Sequence, residues 1–129
     1  MLLSHFCLTP PGDTPKRRGF VEALLLGCVP VVFADATRAS LPGYLSRELL
    51  ERTTVLMSPD VLRAGGAAVA DALAARLPHA PVMRAAMADI ATTLQWSYGE
   101  PTAAEAAEVG PDALDVALVR VLERARAAP

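Results

Sequence analysis

Apolar positions along the chain fall into short blocks whose spacing switches between strand-like and helical. Residues 5–8 form a brief apolar run and residues 29–34 a β-branched and aromatic one. Each is bounded by Pro or Gly, as a strand buried on both faces should be. Between them, Phe20, Val21, Ala23, Leu24, Leu25 and Leu26 make a segment that is apolar almost all round and therefore reads as a buried helix. Thr14 before Pro15 supplies an N-cap followed by the residue type favoured at the first helical position, and Gly27 supplies a left-handed stop. The pattern predicts a right-handed strand-helix-strand crossover. Ligands are expected at the C-terminal edge of its strands, where the loop at residues 10–13 lies.

Further along, the pattern predicts a loop to Gly43, a short helix over residues 45–51 and a third strand over 53–57, parallel to the first two. Residues 67–77 and 82–94 read as alanine-rich helices, the second with Met83, Met87, Ile90 and Leu94 along one face; a methionine stripe at that spacing is core. Trp96 and Tyr98 close that core, and an alanine-rich linker follows at residues 102–107. Pro111 then opens a last helix with Leu114, Leu118, Val121, Leu122 and Ala125 on its buried side and Arg120, Glu123 and Arg126 outside. No internal repeat is visible. The fold class expected is α/β, a Rossmann-like parallel sheet with flanking helices.

Composition narrows the range of functions. A chain of 129 residues with 53% apolar side chains can bury the core of one ordinary domain. Its formal net charge of -2 argues against nucleic acid, whose phosphates are met by strongly basic faces. No apolar stretch approaches the roughly twenty residues a membrane span needs, and the start lacks a charged region with a cleavage site.

The basic charge that exists is local. Lys16, Arg17 and Arg18 occupy the first turn of the first helix, where free amides and the positive end of the macrodipole already favour an anion. Cations there cost roughly a few tenths of a kcal/mol each. A bound diphosphate, held by amides and guanidinium forks, would relieve that cost; a solvated basic patch without ligand is the competing reading. Glu22 lies on the same helix, and a carboxylate on an apolar helix needs a partner or a solvent-facing cleft. Lys16 or Arg18 could be that partner. Cys7 and Cys28 fall at or beside neighbouring strands without metal spacing, and buried free thiols are the expectation, with a bridge as the alternative in an oxidising compartment. His5 and His79 stand alone and read as structural or surface residues.

Ser4, Phe6, Cys7, Leu8, Pro10, Gly12, Asp13, Arg17, Arg18, Glu22, Gly27, Cys28, Val29, Pro30 and Val31 together resemble the C-terminal half of the exostosin-type glycosyltransferases, glycosyltransferase family 47. The Pro-Pro-Gly-Asp wording and the Arg-Arg pair are closest to the plant xyloglucan galactosyltransferase branch. Weaker similarity to that branch's closing helix runs through Asp112, Ala113, Leu114, Asp115, Val116, Ala117, Leu118, Leu122, Glu123 and Arg124. Two departures stand out. Gly19 occupies the position, three before the acidic residue, at which the animal branch commonly has arginine. Leu41 and Pro42 are followed by Gly43 and Tyr44 rather than by the family's usual continuation.

The resemblance implies a partial C-terminal domain of the two-Rossmann-domain GT-B fold, spanning residues 1–129 as one nucleotide-sugar-binding unit. The acceptor domain that would precede it is expected to lie outside this chain, which is read as a fragment. It implies a UDP-sugar donor, transfer to a glycan hydroxyl by an inverting enzyme, and a Golgi-lumen location. No metal or other cofactor is implied, and the catalytic base is not assigned. By the same resemblance Arg17 and Arg18 neutralise the diphosphate, Glu22 holds the ribose, and Pro11, Gly12 and Asp13 shape the pocket. The glycan acceptor would be met through the missing N-terminal half. The alternative is a non-catalytic nucleotide-sugar-binding or protein-interaction module that keeps the fold.

Overall fold

The computed structural model describes residues 3–10, 18–33, 45–95 and 112–127. Three strands, β1 (Phe6–Thr9), β2 (Val29–Val32) and β3 (Val55–Leu56), form a parallel sheet in the order β1-β2-β3. Helix α1 (Arg18–Leu25) lies between β1 and β2, and α2 (Arg47–Thr53) between β2 and β3. After β3 come α3 (Pro59–Arg63), α4 (Gly66–Ala74), a 3-10 turn at Leu77–His79, α5 (Ala80–Ala91), a second 3-10 turn at Thr92–Leu94, and α6 (Ala113–Ala127). The architecture is α/β, compatible with a Rossmann-like arrangement.

Local chemistry explains these boundaries. Gly27 ends α1 with φ at +68°, a left-handed conformation that costs glycine little. Ser46 caps α2 by accepting from the Leu49 amide at 3.2 Å, and Ser58 caps α3 in the same way through Val61, with Pro59 in the first turn. Asp112 and Asp115 cap α6 reciprocally: Asp112 Oδ1 accepts from the amides of Leu114 and Asp115, and Asp115 Oδ2 accepts from the Asp112 amide.

The core is built on β2, all four of whose residues are buried. Around it pack Phe20 and Leu24 of α1, Leu50 of α2, and Met87 and Ile90 of α5, with Met83 and Leu94 half-buried at its margin. Pro30 is tolerated inside this strand for a simple reason. Val29 donates to His5 on the β1 side, and Val32 accepts from Met57 on the β3 side, so the missing Pro30 N–H faces β3 ahead of its first paired residue.

Several sequence expectations change. The first strand runs over Phe6–Thr9 and is not buried on both faces; among the described strands it is the sheet edge, with Leu8 57% exposed. Helix α3, unforeseen, separates β3 from α4. The expected buried side of the last helix is largely bare: Leu114, Leu118, Val121 and Leu122 are exposed, and Ala113 alone among the described residues of α6 is buried. Nothing within the described residues covers that face, so hydrophobic spacing there reported amphipathicity and not burial. Trp96, Tyr98 and the linker at 102–107 lie outside the described residues.

Candidate functional site

The parallel sheet places the C-terminal ends of its strands, Thr9, Val32 and Leu56, on one edge. Thr9 is held there by its hydroxyl, which donates to the Val31 carbonyl at 2.8 Å. The chain leaves β1 at this edge and returns as α1, described from Arg18 onward. Phe20, Ala23 and Leu24 turn into the core and fix the rotation of the helix. That rotation leaves Arg18 and Glu22, one turn apart, on the outer surface.

Arg18 Nε donates to Glu22 Oε1 at 2.6 Å, with the two side chains 92% and 41% exposed. The carboxylate thus finds a basic partner on its own helix, one of the partners anticipated from the sequence. The pair is weak. An exposed i,i+4 ion pair contributes about 0.3–0.5 kcal/mol, and the order Arg before Glu is the less favourable one. A ligand with two or more anionic oxygens could draw Arg18 away at small cost and leave Glu22 facing solvent. Pro11, Gly12, Asp13 and Arg17, like Lys16 and the Thr14-Pro15 cap, lie outside the described residues, as do Leu41, Pro42, Gly43 and Tyr44.

The cysteines correct the sequence reading. Cys7 and Cys28 are not free thiols but a disulfide, their Cα atoms 5.7 Å apart. Parallel pairing explains why: Phe6 stands opposite Val29, so Cys7 on β1 lies diagonal to Cys28, the residue that immediately precedes β2. His5 and His79 are both exposed; His5 contributes its carbonyl to Val29, and His79 closes a 3-10 turn. Among the described residues no group of three or more His, Cys, Asp or Glu side chains is placed to hold a metal ion, and no helix is long and apolar enough to cross a membrane.

An apolar cleft of about 500 Å³ was not foreseen from the sequence. Leu8, Phe33, Leu62, Gly65, Gly66, Val69, Ala70 and Leu73 line it, so it opens beside the ends of β1 and β2. Gly65, at φ +96° between α3 and α4, was its most legible signal. A second cleft of about 400 Å³, lined by Glu51, Thr54, Val55, Leu56, Arg76, His79 and Met83, lies between α2, β3 and the start of α5.

Comparison with known proteins bears on the same segment. Residues 1–45 match the sequence profile of the Exostosin GT47 domain. A probable xyloglucan galactosyltransferase of Arabidopsis thaliana is 30% identical over 125 residues, 96% of this chain and 28% of that protein. A second from the same plant is 31% identical over 126 residues, 94% of this chain and 25% of that protein. A xyloglucan-specific galacturonosyltransferase of Arabidopsis thaliana reaches 57% identity over 30 residues, 23% of this chain and 4% of that protein. The chain therefore spans about a quarter of the first two relatives' length. No solved structure matches it.

Proposed function

Because the chain belongs to the exostosin-type glycosyltransferases of family 47, we propose that it forms the donor-binding part of such an enzyme. Its ligand is the nucleoside diphosphate portion of a UDP-sugar. The observation that carries this reading is the placement of Arg18: a nearly fully exposed guanidinium at the start of α1, beside the C-terminal edge of a parallel sheet and inside the segment matched to the family. Loops and helix starts at that edge are where α/β sheets receive phosphorylated ligands.

In the proposed complex Arg18 exchanges the Glu22 carboxylate for diphosphate oxygens, and Arg17 adds a second guanidinium to them. Glu22, released, accepts hydrogen bonds from the two ribose hydroxyls, and Pro11, Gly12 and Asp13 shape the near wall. During transfer the bond from the anomeric carbon to the diphosphate breaks, and negative charge grows on the leaving oxygen. Two guanidinium groups and the first amides of α1 stabilise that charge, which is most valuable when water is excluded. The acceptor hydroxyl attacks from the opposite side, giving inversion. The general base and the acceptor site belong to an N-terminal half in a GT-B arrangement, and the enzyme works in the Golgi lumen. Counter-charge from arginine and helix amides makes a metal ion dispensable in this reading.

The Arg18–Glu22 pair also favours a second reading. Both groups are satisfied without a ligand, as they would be in a domain that keeps the fold but serves as a non-catalytic interaction module. Calorimetric titration with UDP of the chain and of an Arg17→Ala/Arg18→Ala variant separates the two. Saturable binding that the variant loses is the result expected of a donor domain; equal behaviour of both proteins favours the module.

A further inference from the structure

The disulfide closes a covalent ring that begins in the edge strand and ends at the exit of α1, so that Arg18 and Glu22 lie inside it. Side-chain packing holds that edge strand lightly, mainly through Phe6, which rests half-buried against the core. β1 is half-buried at best, Leu8 stands out at 57% exposure, and its companions on β2 are fully enclosed. Besides the ladder to β2, its described ties are the Thr9 hydroxyl on Val31 and the Arg84 guanidinium, whose Nη2 donates to the Ser4 carbonyl at 3.0 Å. Strand register is specified by the side chains a strand buries, and β1 offers the core only Phe6. A one-residue slip of β1 would move the point where the chain leaves Thr9 by about 3.3 Å, and it would turn the strand's side chains over.

A disulfide forbids that slip, because its two Cα atoms must stay within about 4.4–6.8 Å with their Cβ atoms facing. We propose that Cys7 and Cys28 are positioning residues for the donor site: their bond locks the register of β1 against β2, and so sets the C-terminal end of β1, at the ligand-facing edge, against the Arg18–Glu22 pair that core packing holds in place. This deepens the donor-binding reading and rests on it. The consequence is a dependence of nucleotide affinity on thiol state. Reduction by a dithiol breaks the S–S bond, transfers two electrons and two protons to give the thiols of Cys7 and Cys28, and leaves the reductant as a cyclic disulfide. The bound geometry then becomes one of several registers, and apparent affinity falls by the fraction that remains competent.

The test compares three forms at a temperature where circular dichroism shows each folded: the oxidised chain, the chain held in excess dithiothreitol, and a Cys7→Ala/Cys28→Ala variant. UDP is titrated into each, and amide exchange is followed along β1 and α1. The expected result is binding by the oxidised form and roughly tenfold weaker binding by the other two, as a competent fraction near a tenth requires. Exchange should speed up in Phe6–Thr9 while the core helix α5 keeps its protection. Equal affinity and equal β1 exchange in all folded forms would overturn the proposal. So would the lack of any temperature at which the reduced form is folded, since the bond would then be a general staple. If the oxidised chain does not bind UDP, the donor reading fails, while the exchange comparison still decides whether the bond fixes β1.

Discussion

At the scale of single residues, the account separates binding from stability. Arg18 and Glu22 form an exposed pair, so Arg18→Ala should change the unfolding free energy by less than about 0.5 kcal/mol. The same change should weaken UDP binding by roughly tenfold or more, the worth of a hydrogen bond to a charged group. Thermal melts and a UDP titration on one preparation check both halves; a large melting shift would mean that Arg18 is structural. Gly27→Ala should do the opposite. A Cβ there meets nothing within 4 Å, but φ at +68° strains any L side chain, so a loss of about 1 kcal/mol in denaturant unfolding is expected with UDP affinity intact. Gly27 was legible as a helix stop because left-handed backbone selects its residue type. The state of Cys7 and Cys28 was not legible, since a bridge needs the strand register that brings them together.

At the scale of elements, burial sorts the helices. Leu24 on α1 is enclosed, whereas Leu118 on α6 is half bare. Leu24→Ala should cost about 2–5 kcal/mol and Leu118→Ala less than about 0.5 kcal/mol, read from denaturant midpoints; similar losses at both sites would mean that α6 is covered after all. Sequence periodicity placed α5 and its Met83, Met87, Ile90 and Leu94 face well, and it placed β3 close to its observed position. It missed α3, which is five residues long and offers only Val61 and Leu62 to the core, too short for a helical period to register. The Ser58-Pro59-Asp60 run was the available signal, the same cap-then-proline grammar that Thr14 and Pro15 show. Burial of β1 and α6 was misjudged for one reason. Hydrophobic spacing tells which face of an element seeks cover, but not whether a neighbour supplies it.

At the scale of the whole molecule, the sheet and the disulfide divide the work. The sheet gathers three strand ends on one edge, and the bridge closes a ring 21 residues long in sequence separation around the segment that carries the charge. On the chain-entropy model such a ring stabilises by about 3 kcal/mol, so Cys7→Ala/Cys28→Ala should lower the unfolding free energy by that order in calorimetry. An unchanged value would place the bond outside the folding energetics. The fold class was legible because alternating strand and helix patterns dictate a parallel sheet. Arg18 and Glu22 stood out in the sequence as residue types only, whereas the apolar cleft between Leu8, Phe33 and Val69 did not stand out at all, because it arises from packing that no local window encodes.

The central claim is that a nucleoside diphosphate binds at the start of α1 beside the C-terminal edge of the sheet. An NMR titration of the isotopically labelled chain with UDP tests it most directly, because it reports where the ligand lands as well as whether it binds. The account predicts saturable shifts largest at Arg18, Glu22, Thr9 and Phe33, with little change in α6 or around Glu51 and His79. No saturable shift in the folded, oxidised chain, or shifts gathered at the Glu51–His79 cleft or on α6, would contradict it.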